Sequence, residues 1–234
     1  MVAHFKSSAL LIFALLLVLG CASEQESPSE LQKSQQKQVT LPDFSSINTK
    51  DVFVYNCGDS LQFTAHVTND STWLFLPDTA LKVSPVPAGS GAKYQGSRYI
   101  YWSKGNEAIL QEPTGPFMTC TTSPKEKSWQ AARIRGVDFR ALGQEPGWHL
   151  EITEGKQIRY VGSYGQDTVF TPVPNSKQTV AGQTVYEAQT EAHSLRIEIS
   201  DELCTDSMSG FQFPFKVTIT VDGETYRGCG RTLE

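Results

Sequence analysis

What this 234-residue chain lacks narrows it first. It has no surplus of positive charge: 20 Lys and Arg stand against 25 Asp and Glu, a formal net charge of −5. That balance argues against a nucleic-acid partner and permits a basic one. It has no apolar run of the about 20 residues needed to cross a bilayer as a helix. The run it does have, Ala9–Leu19 (ALLIFALLLVL), is too short. No amphipathic helix of ordinary length can be read. There is no HExxH, no Walker loop and no nucleophile elbow, and the four His are scattered, so neither an enzyme nor a cofactor is expected. The glycine-rich stretch AGSGAKYQGSRYIYWSKGNEAIL (Ala88–Leu110) could suggest a phosphate cradle. It is excluded as a P-loop, because neither the Lys-Ser pair nor a helix follows it.

The N-terminus gives the compartment. His4 and Lys6 precede the apolar run and small residues follow it, so residues 1–20 read as a secretory signal peptide. The run ends in VLGC (Val18–Cys21), which resembles the lipobox of bacterial lipoproteins. That resemblance implies that Cys21 is lipidated, palmitate included, as the first residue of the mature chain. Each buried acyl methylene contributes about 0.8 kcal/mol, and more than one chain makes a stable anchor. Ala22, and not Asp, follows Cys21. The expected location is therefore the bacterial cell envelope, at the outer membrane facing the periplasm. Residues 21–49 are rich in Ser, Gln and Glu and poor in aromatics. They bury too little apolar surface to offset ordering entropy and read as a flexible tether.

With Cys21 set aside, Cys57, Cys120, Cys204 and Cys229 remain in an exported chain, and four cysteines allow three pairings. The polar, proline-containing stretch TTSPKEK (Thr121–Lys127) reads as an interdomain linker, residues 122–128. It separates one domain at 50–121 from another at 129–234, and pairing within domains gives Cys57–Cys120 and Cys204–Cys229. A metal site is the weaker reading, because no CxxC pair or His cluster accompanies these cysteines. Both halves alternate apolar and polar residues with period two: LQFTAHV (61–67), LRIEI (195–199) and FKVTITV (215–221). Asp222-Gly223 between two such runs is a hairpin signal. The expected fold is all-β, two small antiparallel barrel or sandwich domains.

Within the glycine-rich stretch the spacing is Ser-Gly-x-x-Tyr, seven residues, then Trp-x-Lys-Gly-x-x-Ala. Ser90, Gly91, Tyr94, Trp102, Lys104, Gly105 and Ala108 fill it, downstream of VYNCGDSLQF (Val54–Phe63). This pattern, over about Asp51 to Cys120, resembles the membrane-bound inhibitors of c-type lysozyme. The resemblance implies a small disulfide-closed barrel whose signature serine and lysine, here Ser90 and Lys104, enter the lysozyme cleft. The partner would be c-type lysozyme and the acting species a monomer. The chemistry of the residues is compatible with this: a glycosidase cleft holds two carboxyl groups, one a proton donor and one ionised. A small hydroxyl and a cation suit that pair. Tyr94 and Trp102 read as core or loop support, and Gly91 and Gly105 as residues that permit tight turns. Lys93 and Arg98 are rim charges that would oppose docking on a basic enzyme.

The second half contains Glu-Pro-Gly-Trp (145–148), Cys-x-Asp-x-Met-Ser-Gly (204–210) and a terminal Gly-Cys-Gly (228–230). It resembles a family of uncharacterised bacterial envelope domains, which implies a compact β domain and no activity. Trp148 is expected to be buried, and Met208 to lie in the core. A soft-metal site from Cys204, Asp206, Met208 and His193 is set aside in favour of the Cys204–Cys229 bond. The alternative to an inhibitor is a structural or ligand-binding envelope lipoprotein without inhibitory activity.

Overall fold

The structure, a computed structural model, describes residues 41–174 and 177–233. The signal peptide, Cys21 and the tether up to residue 40 lie outside the described residues. From Pro42 onward the described chain forms one compact unit, containing a closed barrel followed by a nine-stranded sheet.

The barrel is built from β1 (Val52–Cys57), β2 (Leu61–Val67), β3 (Thr72–Phe75), β4 (Ala80–Val86), β5 (Ala92–Gln95), β6 (Ile100–Lys104), β7 (Glu107–Gln111) and β8 (Phe117–Thr122). Each strand pairs antiparallel with the next, and β8 returns to β1. Tyr55, Phe63, Ala65, Leu74, Val83, Tyr101 and Leu110 fill the interior, with the Tyr101 hydroxyl donating to the Tyr55 hydroxyl at 3.1 Å. The closing seam is the weak one. β1 and β8 share only the pairs Tyr55↔Thr122 and Asn56↔Thr121, whereas β1 and β2 run in register from Val52↔His66 to Cys57↔Leu61. Cys57–Cys120 bridges that seam across 63 residues of sequence, a loop whose closure is worth about 4 kcal/mol in the chain-entropy model.

One alternation expected from the sequence is absent. Phe63, Thr64, Ala65 and His66 of β2 are all buried. The reason is Phe44, near the end of the stretch read as tether. Its ring packs edge-on against His66, Trp73 and Phe75 at centroid distances of 5.9, 5.5 and 5.1 Å, covering the outer face of β2 and β3.

The segment read as linker carries regular structure. Val54 carbonyl accepts from the Ser123 amide at 2.8 Å, and α1 (Lys127–Ile134) follows. The sheet then forms from β9 (Phe139–Gly143), β10 (Trp148–Thr153), β11 (Gln157–Gly162), β12 (Asp167–Pro172), β13 (Gln178–Val180), β14 (Gln183–Gln189) and β15 (Ser194–Ser200). A separate pair, β16 (Cys204–Thr205) and β17 (Gln212–Phe213), precedes β18 (Phe215–Val221) and β19 (Glu224–Thr232). The sheet order is β12-β11-β10-β9-β19-β18-β15-β14-β13. It curls, so that Val169 of β12 and Tyr186 of β14 share one core with Leu150, Ile152, Ile158, Ile197, Val217, Ile219 and the buried Trp148. Asp222 and Gly223 both take positive φ, 50° and 92°, at the two-residue turn between β18 and β19, as the hairpin signal requires.

On the opposite face α1 sits with β17: Trp129, Ala132, Phe213, Cys229 and Leu233 form a second small core. Cys204–Cys229 ties β16 to β19 beneath it. Met208 is exposed rather than buried. It lies in the turn between β16 and β17, where Asp206 accepts from the Ser209 amide at 2.8 Å and organises the loop without it.

Candidate functional site

Ser90 and Lys104 come together because two turns meet at one end of the barrel. β5 and β6 pair as Ala92↔Ser103, Lys93↔Trp102 and Tyr94↔Tyr101. The loop entering β5 therefore lies beside the end of β6. Gly91 has φ +69°, and a Cβ there would lie 2.3 Å from the Ser103 carbonyl oxygen and 3.1 Å from Lys104 Cβ. Only glycine lets the serine loop seat this closely against the lysine turn. Trp102 Nε1 donates to the Ser90 carbonyl at 2.8 Å, clamping the loop. Gly105, with φ +60°, turns the chain immediately after Lys104, so that Lys104 pairs with Glu107 across the turn.

Beneath the loop the support is aromatic. Tyr94 is buried and stacks on Tyr101 at 5.6 Å, and Ala108 is buried opposite Cys120. Ser90 and Lys104 themselves are exposed. Among the described residues Lys104 enters no ion pair. The rim cations are engaged. Lys93 Nζ lies 5.6 Å from the centroid of the Trp102 ring, and Arg98 reaches Asp78 and Glu112, each at 3.9 Å. The site thus presents a hydroxyl and one uncommitted cation on a braced loop and turn. What it can do chemically is hydrogen-bond and ion-pair with a partner's acidic groups.

The residues considered as a soft-metal set are otherwise occupied. Cys204 is bonded to Cys229, and His193 Nδ1 lies 2.8 Å from Asp222. Among the described residues no group of three or more His, Cys, Asp or Glu is placed to hold a metal ion.

A second concentration of charge escaped the sequence reading. Glu151 of β10 is buried and takes Arg135 at 2.8 Å, Arg159 at 3.1 Å and Arg140. Burial alone would raise its carboxyl pKa, but Arg140, Arg135 and Arg159 pull it below the usual range. Burial, then Arg140, push neighbouring His149 down to about 4. The available signal was a charged or polar ring-bearing residue inside each of three otherwise apolar strand runs: Arg140 in FRALG, His149 and Glu151 in WHLEIT, and Arg159 in QIRYVG. On a strand that pattern reads as a wet face. Only the register shows these residues adjacent.

A closed eight-stranded antiparallel barrel, stapled by one disulfide and carrying a braced loop and turn at one end, defines the class as a small disulfide-closed β-barrel. The profile of the family described as membrane-bound lysozyme-inhibitor of c-type lysozyme matches residues 55–116, all within the barrel. A protein of Pseudomonas aeruginosa named membrane-bound lysozyme inhibitor of C-type lysozyme is 33% identical over 111 residues, 45% of this chain and 84% of that protein. One of the same name from Yersinia enterocolitica is 38% identical over 58 residues, 24% of this chain and 50% of that protein. The chain belongs to this family of membrane-bound lysozyme inhibitors of c-type lysozyme.

Proposed function

We propose that this chain inhibits c-type lysozyme by inserting the Ser90 loop and the Lys104 turn into the enzyme's cleft. The observation that carries the reading is the seating of Gly91 on Ser103 and Lys104, which brings hydroxyl and cation to one edge of the barrel. A lysozyme cleft holds one carboxyl kept protonated and one ionised. Lys104 meets the ionised carboxylate and Ser90 hydrogen-bonds the protonated group. Charge-assisted hydrogen bonds of this kind are roughly twice as strong as neutral ones. Tyr94, Trp102, Gly91 and Gly105 hold the pair in place and contribute through it. Lys93 and Arg98 have their charge partly taken up by Trp102, Asp78 and Glu112, which reduces their opposition to a basic enzyme.

The chain acts as a monomer, anchored through acyl chains on Cys21 at the outer membrane and facing the periplasm, where it protects peptidoglycan. The residues between Cys21 and Phe44 give the barrel reach from the membrane. The two folded parts arise from 50–121 and 129–234, and the family match that supports inhibition lies in the first. The test is a lysis assay. Purified chain with Cys21→Ser should slow lysozyme lysis of bacterial cells, and Lys104→Ala should remove most of that protection while retaining the circular dichroism spectrum. Full protection by the folded Lys104→Ala protein would refute the cleft-plug reading. A fatty-acid probe should label the wild type and not Cys21→Ser.

A further inference from the structure

The face of β9–β12 turned away from the sheet's core carries a row that lysozyme inhibition does not use. Register places Arg140, Glu151, Arg159 and Phe170 side by side on four neighbouring strands. Helix α1 covers one end of the row, where Trp129 lies over the Arg140 guanidinium at 5.5 Å. The uncovered end is an open cleft of about 580 Å³, within the size range of small-molecule sites. Ser45–Thr49 from the start of the folded chain form one of its walls, and Arg135, His149 and Lys156 are among the other polar residues that line it.

The charge in this cleft does not balance. Arg135, Arg140, Lys156 and Arg159 line it with Glu151 as the carboxylate, in a chain whose net charge is −5. Asp43 lies within electrostatic reach of Lys156, and the cations remain in excess. Glu151 already receives all three guanidinium groups. Arg140 is nine-tenths buried, yet its Nε–H finds no acceptor among the described residues, where buried donors in native folds usually have one. Phe170 is 55% exposed, and its ring lies 5.9 Å from the Arg159 guanidinium. Arg159 also approaches His149 Nε2 at 3.5 Å. The cleft therefore offers excess positive charge, a neutral hydrogen-bonding ring and a flat apolar edge.

We propose that this cleft binds a small anionic ligand, a carboxylate or phosphate carried on a compact sugar-like body, with Arg135, Lys156 and Arg159 receiving the anion and Phe170 packing against the body. Glu151 is then the internal counter-ion that holds the guanidinium groups in place. The site stands apart from the barrel's serine loop, so it does not depend on the inhibitor reading.

The experiment is calorimetric titration of the full chain in detergent at low ionic strength with four probes: glucuronate, glucose 6-phosphate, glucose and inorganic phosphate. Glucuronate and glucose 6-phosphate should bind and glucose should not, and the tighter of the two acids identifies the anion as carboxylate or phosphate. Arg159→Gln should weaken the binding acid roughly 10- to 100-fold, the usual range for losing a charged hydrogen bond. It leaves Glu151 paired by Arg135 and Arg140, and circular dichroism checks the fold. If that variant unfolds, Lys156→Gln carries the same test from the exposed rim. Phe170→Ala should weaken both sugar acids and leave inorganic phosphate unchanged. Lys82→Ala, on the barrel, should change nothing. No heat from either acid or from phosphate, or equal affinity in the folded Arg159→Gln or Lys156→Gln proteins, would overturn the proposal. Lysozyme affinity should be the same in all these variants, which separates this site from the barrel's.

Discussion

The barrel and the sheet use charge in opposite ways. At the barrel's edge Lys104 stands exposed on a turn, and no carboxylate of the described residues engages it. On the sheet, Glu151 is buried beneath three guanidinium groups. An exposed cation costs the fold almost nothing to keep and almost nothing to lose, so its value lies in a partner. A buried carboxylate is embedded in the fold's own energetics, because removing one member strands the others out of water. One region thus leaves its cation open to solvent and the other builds its cations into internal order, and burial is what separates the two.

Four measurements can break or sharpen this contrast. The largest effect is expected from Glu151→Gln. It leaves Arg135, Arg140 and Arg159 facing one another without their carboxylate, which should destabilise the fold by about 3–5 kcal/mol. A urea titration followed by tryptophan fluorescence would read this as a lowered midpoint, and an unchanged midpoint would mean the network is dispensable. In the same titration Lys104→Ala should shift stability by less than about 0.5 kcal/mol.

The next effect is on binding. Lys104→Ala should lower affinity for c-type lysozyme by about 2–5 kcal/mol, the usual result of truncating one partner of a desolvated charge pair. Wild-type affinity in surface plasmon resonance would show that Lys104 lies outside the contact.

The third effect is on acid stability. His149 has its folded pKa pushed from 6.5 down to about 4 by burial and Arg140. Protonation therefore favours the unfolded chain, and the stability contributed by keeping the ring neutral is complete above pH 6.5 and lost as pH falls towards 4. Glu151, lowered by the arginines despite its burial, acts in the same direction at lower pH. Stability should fall by on the order of 2–3 kcal/mol across that His window. His149→Gln should flatten the slope between pH 6.5 and 4 while leaving the loss at lower pH that comes from Glu151. An unchanged slope in His149→Gln would assign the loss elsewhere.

The smallest effect is Ser90→Ala, a neutral hydrogen bond worth about 0.5–1.5 kcal/mol of lysozyme affinity. The loss should be read by the same resonance measurement, with stability untouched. A loss as large as that of Lys104→Ala would reverse the roles assigned to the two groups.

Much of this protein was legible in the linear chain. Period-two alternation in FKVTITV and LRIEI gave strands, because side chains on a strand point to opposite faces whatever the rest of the fold does. Asp222-Gly223 named its turn, and the cysteine spacing about the polar 122–128 stretch named both disulfides. The spacing from Ser90 to Ala108 located the loop and the turn, since the two elements are neighbours in one hairpin and local geometry carries them together. Tertiary structure alone decided the rest. The buried run from Phe63 to His66 depends on Phe44 arriving from a stretch whose composition reads as tether. The helix at Lys127–Ile134 bridges what reads as a linker to both barrel and sheet, with Lys127 donating to the Lys50 carbonyl at 3.0 Å and Trp129 lying over Arg140. The charge cluster needed the register of β9, β10, β11 and β12 to align Arg140, Glu151, Arg159 and Phe170, and it needed that helix to cover one end. Alternation tells which face a side chain takes. Whether that face meets water or another element is set by contacts far apart in sequence, and those contacts turned an ordinary polar face into a partly closed basic cleft.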